Sequence, residues 1–474
     1  MSCQLSKMVN LLKLMRQEVL LNSWRLVMRK KVDLLTDDIG HLIKSLSIPA
    51  FFGIVINLLY GFIDGIVIGD GIGQNALGGV TVIFPLTLII ISFASLIGEG
   101  LGSYVAREIV VNKTHVIKAI QTGFALMTWI IIVIISMSFV FIDPLLRLLG
   151  GVDQVFEFAK TYYLSLLIGL PFMAWSLVYF HMLNAQGEIK VVMKAMMISS
   201  VINIVLDILF VYAFTWGVYG AGIATAIAQI YWFSHMHIHA NKGQMLTLKM
   251  PVKFRVDLRY AKAIIVVGLS AFIRQVGVSI SLILINTMAS SYDVIYLTSF
   301  GATQRILRLI ISPIAAISTA FKPIVGQNFG KGHYERVQNT IRYSVRTSLL
   351  VGCVLFLIIL VVRQPLGLLF GISHAEISIF EKVLMLTCAL LPIYGVQHLA
   401  VAYFIALGMA KEAVYLNLQK QVIILMPLVF ILPKLFGVYG LFMALPLSDL
   451  LSIGIAFIMM KRSIHRLIIK EVPS

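Results

Sequence analysis

Twelve apolar runs, each long enough to cross a bilayer, constrain this chain more than any motif it carries. A membrane-spanning helix needs roughly 20 consecutive apolar residues. Runs of that length fall at about 45–68, 80–104, 117–141, 159–182, 191–214 and 218–237, and again at about 263–288, 296–321, 344–362, 378–405, 413–433 and 437–460. Inside lipid a backbone must satisfy its own hydrogen bonds, which helices do within each segment. Only 12% of residues are charged, half the roughly 25% of a soluble domain, and mean hydropathy is +0.95. The expected fold is an all-α polytopic membrane protein with twelve transmembrane helices. Cys3, Cys353 and Cys388 form no spaced set, so neither a disulfide framework nor a zinc site is expected.

The formal charge of +17 raises the question of nucleic acid, but its distribution answers as topology. Lys and Arg concentrate in alternate loops of a membrane protein, on the cytoplasmic side. Here they gather in the tail of residues 1–40, at Arg107/Lys113/Lys118, at Lys190/Lys194 and in the central loop from Lys242 to Lys262. Lys331/Arg336/Arg342, Lys411/Lys420 and Lys461/Arg462/Arg466/Lys470 join them, whereas the opposite loops offer little beyond Arg147, Arg363 and Lys434. Both termini are therefore expected in the cytoplasm, with anionic lipid rather than nucleic acid as the contact of the basic face. No cleavage-type signal peptide is visible in residues 1–40.

The two series of runs are copies. Asp143-Pro144-Leu145-Leu146 lies 221 residues before Gln364-Pro365-Leu366-Gly367, and the same offset carries Leu170-Pro171 onto Leu391-Pro392 and Ala185-Gln186-Gly187 onto Ala406-Leu407-Gly408. With one residue deleted, Gly217-Val218-Tyr219-Gly220 meets Gly437-Val438-Tyr439-Gly440. Four matches in register make an internal repeat. Six spans per unit is an even number, so the repeat is parallel, an arrangement secondary transporters use around a central cavity between two bundles. The division is a basic tail (1–40), an N-terminal six-helix bundle (41–238), a linker (239–262), a C-terminal bundle (263–460) and a second tail (461–474).

Against this apolar background a few polar residues stand out. Asn203 and Asp207 share one face of the fifth span, four residues apart. Asp207 is about 24 Å from the cytoplasmic end of its run, and Thr225 is roughly 10 Å inside the outer end of the next, at ~1.5 Å per residue. Asp64, with Asn57 two turns below, falls in the outer half of the first span. Intramembrane carboxylates are costly and mark ion or substrate pathways. The repeat carries Asp64 onto Ile285 and the Asn203/Asp207 pair onto apolar positions near Ile423 and Pro427, so the N-terminal bundle holds something its copy lacks. Two readings stand. The acids are interfacial or a helix–helix hydrogen-bond pair, or they bind a proton, a metal cation or a cationic substrate, since burial disfavours a bare carboxylate. Pro49 and Gly53 would permit a kink in the first span. Glu99 lies near the cytoplasmic end of the second, as gate, packing residue or substrate contact. Arg274, Arg305 and Arg308 are expected to snorkel or to line a cavity. His235, His237 and His239 read as interfacial. No nucleophile–base motif or phosphate-binding loop appears, and no enzyme activity or cofactor is expected.

The ordered set of motifs resembles the multidrug and toxic compound extrusion (MATE) family over nearly the whole chain after residue 40. The matching pieces are Ile48-Pro49, Asn57-Leu58-Leu59-Tyr60, Asp64 and Gly69 in the first span, and Phe84-Pro85, Gly98, Gly100 and Gly102-Ser103 in the second. Asn203-Ile204-Val205-Leu206-Asp207, Trp216-Gly217-Val218 with Gly220 to Thr225, and Pro323-Ile324-Val325-Gly326-Gln327-Asn328-Phe329-Gly330 follow. The resemblance implies two six-helix bundles around a central cavity, with alternating access. In the DinF-like branch it implies a coupling site at Asp64, Asn203, Asp207 and Thr225, a substrate cavity with Asn57, Tyr60 and Tyr162, and Pro49 as the kink. The seventh and tenth spans lack the acids of the NorM-like branch.

The expected function is secondary active multidrug efflux: lipophilic or cationic compounds leave in exchange for H+ or Na+, from a monomer in the inner (plasma) membrane. The alternative is a lipid-linked precursor flippase of the same superfamily, which would cluster Arg274, Arg305 and Arg308 on the cavity wall. A membrane-embedded transferase fits less well, because the polar residues lie deep.

Overall fold

The helices begin where short polar side chains cap them. Asp38 accepts the His41 amide at 2.9 Å, Asn112 accepts those of Thr114 and His115, and Asp257 and Asp293 start two later helices in the same way, each satisfying a free first-turn N–H. The computed structural model describes residues 32–149, 153–242, 256–369, 372 and 376–471. Among them the first half forms α1 (Ile39–Gly71), α2 (Gln74–Glu108), α3 (Lys113–Val140), α4 (Ile142–Leu148), α5 (Asp153–Leu166), α6 (Leu170–Ala185), α7 (Ile189–Ile208) and α8 (Gly217–Lys242). The second half forms α9 (Leu258–Tyr292), α10 (Val294–Ile310), α11 (Ser312–Gly330), α12 (Tyr334–Leu369), α13 (Ile377–Cys388), α14 (Leu391–Ala406), α15 (Ala410–Leu418) and α16 (Met426–Glu471). One wider, π-type turn ends α7 (Leu209–Ala213) and another joins α15 to α16 (Gln419–Leu425).

These helices make twelve crossings. Seven continuous segments among the described residues are long and apolar enough to span a bilayer. Three further crossings are bent pairs: α5–α6 at 59°, α10–α11 at 43° and α13–α14 at 41°. The first turns of α6, α11 and α14 each carry a proline, a residue that starts a helix well and cannot continue one. The longest apolar segment, Ala410–Ile464, breaks at Gly437 and so crosses twice. The 26-residue α8 completes the set; at ~1.5 Å per residue it is long enough, though its His and Gln residues make it less apolar. The protein is a multi-pass membrane protein. Its helices overrun the expected bounds: α8 continues to Lys242, α9 starts at Leu258, and α16 runs through residues 461–471. The tail before residue 32 and most of the linker, 243–255, lie outside the described residues.

The internal repeat has a conformational basis. Gly217 and Gly437, the first glycines of the two Gly-Val-Tyr-Gly copies, have φ of 59° and 62°. Gly187 and Gly408, matched in the other repeat motif, have 84° and 73°. Only glycine enters this region at no steric cost, so the same two turns recur in both halves.

The six N-terminal crossings (α1–α8) and the six C-terminal ones (α9–α16) form two bundles that meet chiefly through α2 with α9 and α1 with α11. At the first seam the backbones touch. A Cβ on Gly268 would stand 1.7 Å from the Leu96 carbonyl oxygen, and one on Gly100 would stand 2.0 Å from that of Ile264. Polar ties between the bundles gather on the side of the basic loops. Arg107 donates to Ser103 at 2.5 Å and to the Ala406 carbonyl at 3.3 Å, and Ser103 donates to the Ile405 carbonyl. Gln327 donates to the Ala185 carbonyl at 3.0 Å. The two bundles are thus tied to one another at their basic ends.

Candidate cation pocket and central cavity

In the N-terminal bundle, α7 packs between α1 and α8, and α8 also lies against α5. The small residues of Gly220-Ala221-Gly222 allow that approach: a Cβ on Gly222 would collide with Ser165 of α5 at 1.8 Å. One turn further on, Thr225 reaches the α5–α7 seam. Asn203 donates to the Thr225 hydroxyl at 3.2 Å, and Tyr162 interacts with the same hydroxyl. The Asp64 and Asp207 carboxyl groups face one another, with the Tyr60 and Tyr162 hydroxyls beside them. Asn203, Asp207, Thr225 and Tyr162 are all buried, Asp207 completely.

Six of the eight residues that the family resemblance implied therefore meet in one pocket. Asp64, Thr225 and Tyr162 each lie about 10–14 Å from the non-basic end of their helices, at ~1.5 Å per residue. Asn57 shares the Asp64 stripe of α1 but is exposed, and Pro49 is buried in an α1 that runs continuously through it. The pocket is short of donors. Asp64 Oδ1, Asn203 Oδ1 and both Asp207 oxygens are buried without a hydrogen-bond donor. Buried polar oxygens are costly when unpaired, and two adjacent carboxylates in a water-poor site repel. A proton or a hard cation relieves both, and carboxylate, amide and hydroxyl oxygens are the ligands such cations prefer. The equivalent region of the other bundle is oil: Ile285, where the repeat places Asp64, packs with Phe300, Leu425 and Phe442 in a buried apolar cluster.

A second polar site lies between the bundles. A cavity of about 350 Å³ is lined from the N-terminal side by α2 and α6 and from the other by α9, α11, α14 and the π-type turn. Glu99 of α2 is buried there and receives two cations on one oxygen, Arg274 of α9 at 2.8 Å and Lys322 of α11 at 3.5 Å. Its other oxygen, Oε2, is buried without a partner. Lys420 meets Asp449 at 2.5 Å, both 14% exposed, and lies 5.0 Å from the Tyr394 ring centre. Gln397, 3% exposed, has neither end of its amide hydrogen-bonded.

Two sequence expectations change here. Lys420, grouped with the basic loops, is inside the protein. The three arginines do not cluster: Arg274 lines the central cavity, Arg308 lines an adjoining pocket beside Thr387 that shares Tyr394 and Lys420 with it, and Arg305 is exposed. Lys322, Gln397 and Asp449 were missed; Asp449 is a lone charge inside the 437–460 run, signal enough to raise it, whereas Lys322 stands one residue past the 296–321 run. The His235–His239 tract splits up: His237 pairs with Tyr179 and Asn241, His235 with Tyr231, and His239 with Glu188.

Comparison with known proteins agrees with this architecture. The MatE family model matches twice, at residues 49–209 and 271–431, so its two copies start 222 residues apart, within one residue of the internal offset. A FAD transporter of Shewanella oneidensis is 26% identical over 90% of this chain and 96% of its own. The multidrug export protein MepA of Staphylococcus saprophyticus is 22% identical over 85% of this chain and 89% of its own. Among solved structures, an outward-facing multidrug resistance MATE transporter superposes with a TM-score of 0.84 at 23% identity, covering 92% of this chain and 99% of that one. With the family model covering both bundles, this chain belongs to the MATE family of membrane transport proteins.

Proposed function

We propose that the protein is an ion-coupled exporter of the DinF-like kind, driven by H+ or Na+ at the Asp64/Asp207 pocket. The observation that carries this reading is the pair of facing carboxyl groups, Asp207 buried with Asn203 and Thr225 and Asp64 half-buried beside it with its Oδ1 inside, short of hydrogen-bond donors. An ion arriving from the non-basic side neutralises the pair, and the pocket then packs without repulsion. An empty pocket favours the other arrangement of the bundle, and this difference between two states is what couples ion to cargo. Relatives named as multidrug exporters support a cargo of lipophilic small molecules, and a relative named as a FAD transporter widens the range to larger polar ones. Cationic drugs find their uncommitted acidic partners at Asp64 and Asp207, because Glu99 and Asp449 are held by Arg274, Lys322 and Lys420. In this reading the basic loops face the cytoplasm and the protein works as a monomer in the inner membrane.

The test is gradient-driven efflux of ethidium and of riboflavin 5′-phosphate (FMN) from proteoliposomes, with the pH and Na+ gradients imposed separately. Wild type should drive at least one probe under at least one gradient. Asp64→Asn and Asp207→Asn should each lower the gradient-driven part by about tenfold or more, the usual scale of site-to-site coupling. Full gradient-driven efflux by both variants overturns the mechanism.

A further inference from the structure

The central cavity is charged in the opposite sense to the N-terminal pocket. Its wall on the C-terminal bundle presents Arg274 and Lys322, from two different helices, and both point at one oxygen of one carboxylate, Glu99. That carboxylate belongs to the other bundle. Lys420 is neutralised within its own bundle by Asp449, so it neither adds to nor relieves the imbalance. Two cations against one acid leave a net positive charge in a cavity whose other walls include Phe180, Tyr394 and Ala402.

We propose that this cavity is a binding site for an organic anion, and that Glu99 is the anion's built-in stand-in. The proposal rests on the transport reading above and adds the charge of the cargo. Arg274 and Lys322 stay together on the C-terminal bundle, whereas Glu99 leaves with α2 whenever the bundles part at their basic ends. Arg274 and Lys322, half-buried with 41% and 30% of their side chains exposed, then face the cavity with no counter-charge, and a partly desolvated cation without its partner is less favourable than a paired one. An anionic group from solution takes the place of the carboxylate. Arginine offers it a planar pair of donors and lysine a point charge. When the bundles close, Glu99 returns to the same two cations and competes the anion off.

The rest of the wall suits a solute with a polar ring. Gln397 is buried with a free N–H pair and a free carbonyl, and His398 Nδ1 beside it is also unpartnered. Tyr394, packed against His398 and Lys420, lines the same stretch of α14. An amide with both ends open matches the donor–acceptor edge of a heterocycle, because a buried amide left unpaired costs what a matching edge restores. The cavity therefore separates two solutes with the same ring by their charge.

FMN and riboflavin are such a pair, and their intrinsic fluorescence reports binding to purified protein in detergent. Wild type should bind FMN at least about tenfold more tightly than riboflavin, the scale of one charge-assisted contact. Arg274→Gln and Lys322→Gln should remove most of that preference, weakening FMN binding far more than riboflavin binding. Glu99→Gln should strengthen FMN binding severalfold, an increase that no loss of folding produces, and the gain should vanish in the Glu99→Gln/Arg274→Gln double variant. Lys322→Arg, which keeps the charge, should retain the preference. Displacement of FMN by phenyl phosphate supports a soluble anion, and displacement by a polyprenyl phosphate in mixed micelles supports a lipid-linked one. Equal affinity for the two flavins, no saturable FMN binding, or weaker FMN binding in Glu99→Gln overturns the proposal. Binding in detergent needs no ion gradient, so an intact charge preference alongside unimpaired Asp64 and Asp207 variants would refute the coupling mechanism and leave the anion site standing.

Discussion

Lys420 and Asp449 show how much one residue depends on its partner in this protein. At 2.5 Å and 14% exposure each, they neutralise one another; alone, either would be a nearly buried charge. Lys420→Met should lower stability by about 3–5 kcal/mol, the usual consequence of orphaning a buried ion, and Lys420→Met/Asp449→Leu should recover most of it. Thermal unfolding in detergent measures both. Thr225 is a milder case. Thr225→Val keeps the shape and removes the hydroxyl that Asn203 and Tyr162 share. Stability should fall by about 1 kcal/mol, and under the proposed coupling mechanism affinity for the ion drops further, since that mechanism makes the hydroxyl a ligand. A stability loss without any change in ion dependence would assign the hydroxyl to packing alone.

At the scale of elements, the helices are shaped by where they cannot continue. The bends at α5–α6 and α13–α14 sit at the repeated Leu170-Pro171 and Leu391-Pro392, and the last apolar segment turns back at Gly437 because its φ is 62°. Gly437→Ala forces a side chain into the left-handed region and should cost about 1–2 kcal/mol. Gly301 has open space around it and lies within α10, so Gly301→Ala should be neutral or slightly stabilising. A comparison of the two melting temperatures separates conformational strain from a general intolerance of alanine.

Across the whole molecule, the backbone contacts at Gly100 and Gly268 decide whether the basic ends close. Gly268→Val places a side chain where Leu96 already lies, so the variant should favour the arrangement open on that side. Ser103, buried and bonded across the seam to Ile405, is a suitable reporter. A cysteine placed there, in a chain otherwise free of cysteine, should resist a soluble thiol reagent in the parent and react at least about tenfold faster in Gly268→Val, since labelling follows the open population. Equal labelling would show that the seam yields locally and that the bundles do not part. The same seam holds Glu99 against Arg274 and Lys322, so whatever opens it exposes the cations of the central cavity.

By itself the sequence determined the number of crossings and their parallel repeat, because bilayer thickness and helix rise act on each stretch separately. It also singled out Asp64, Asn203 and Asp207, because a carboxylate or an amide in an apolar run is conspicuous without knowledge of its neighbours. The tertiary structure alone decided what those residues face. Glu99 and Arg274 are 175 positions apart, and no periodicity relates them; Lys420 resembled a loop residue until Asp449 was seen opposite it. A charge in an apolar run declares that it needs a partner, but the identity of the partner depends on which helices pack. That packing made the N-terminal pocket acidic and the central cavity basic.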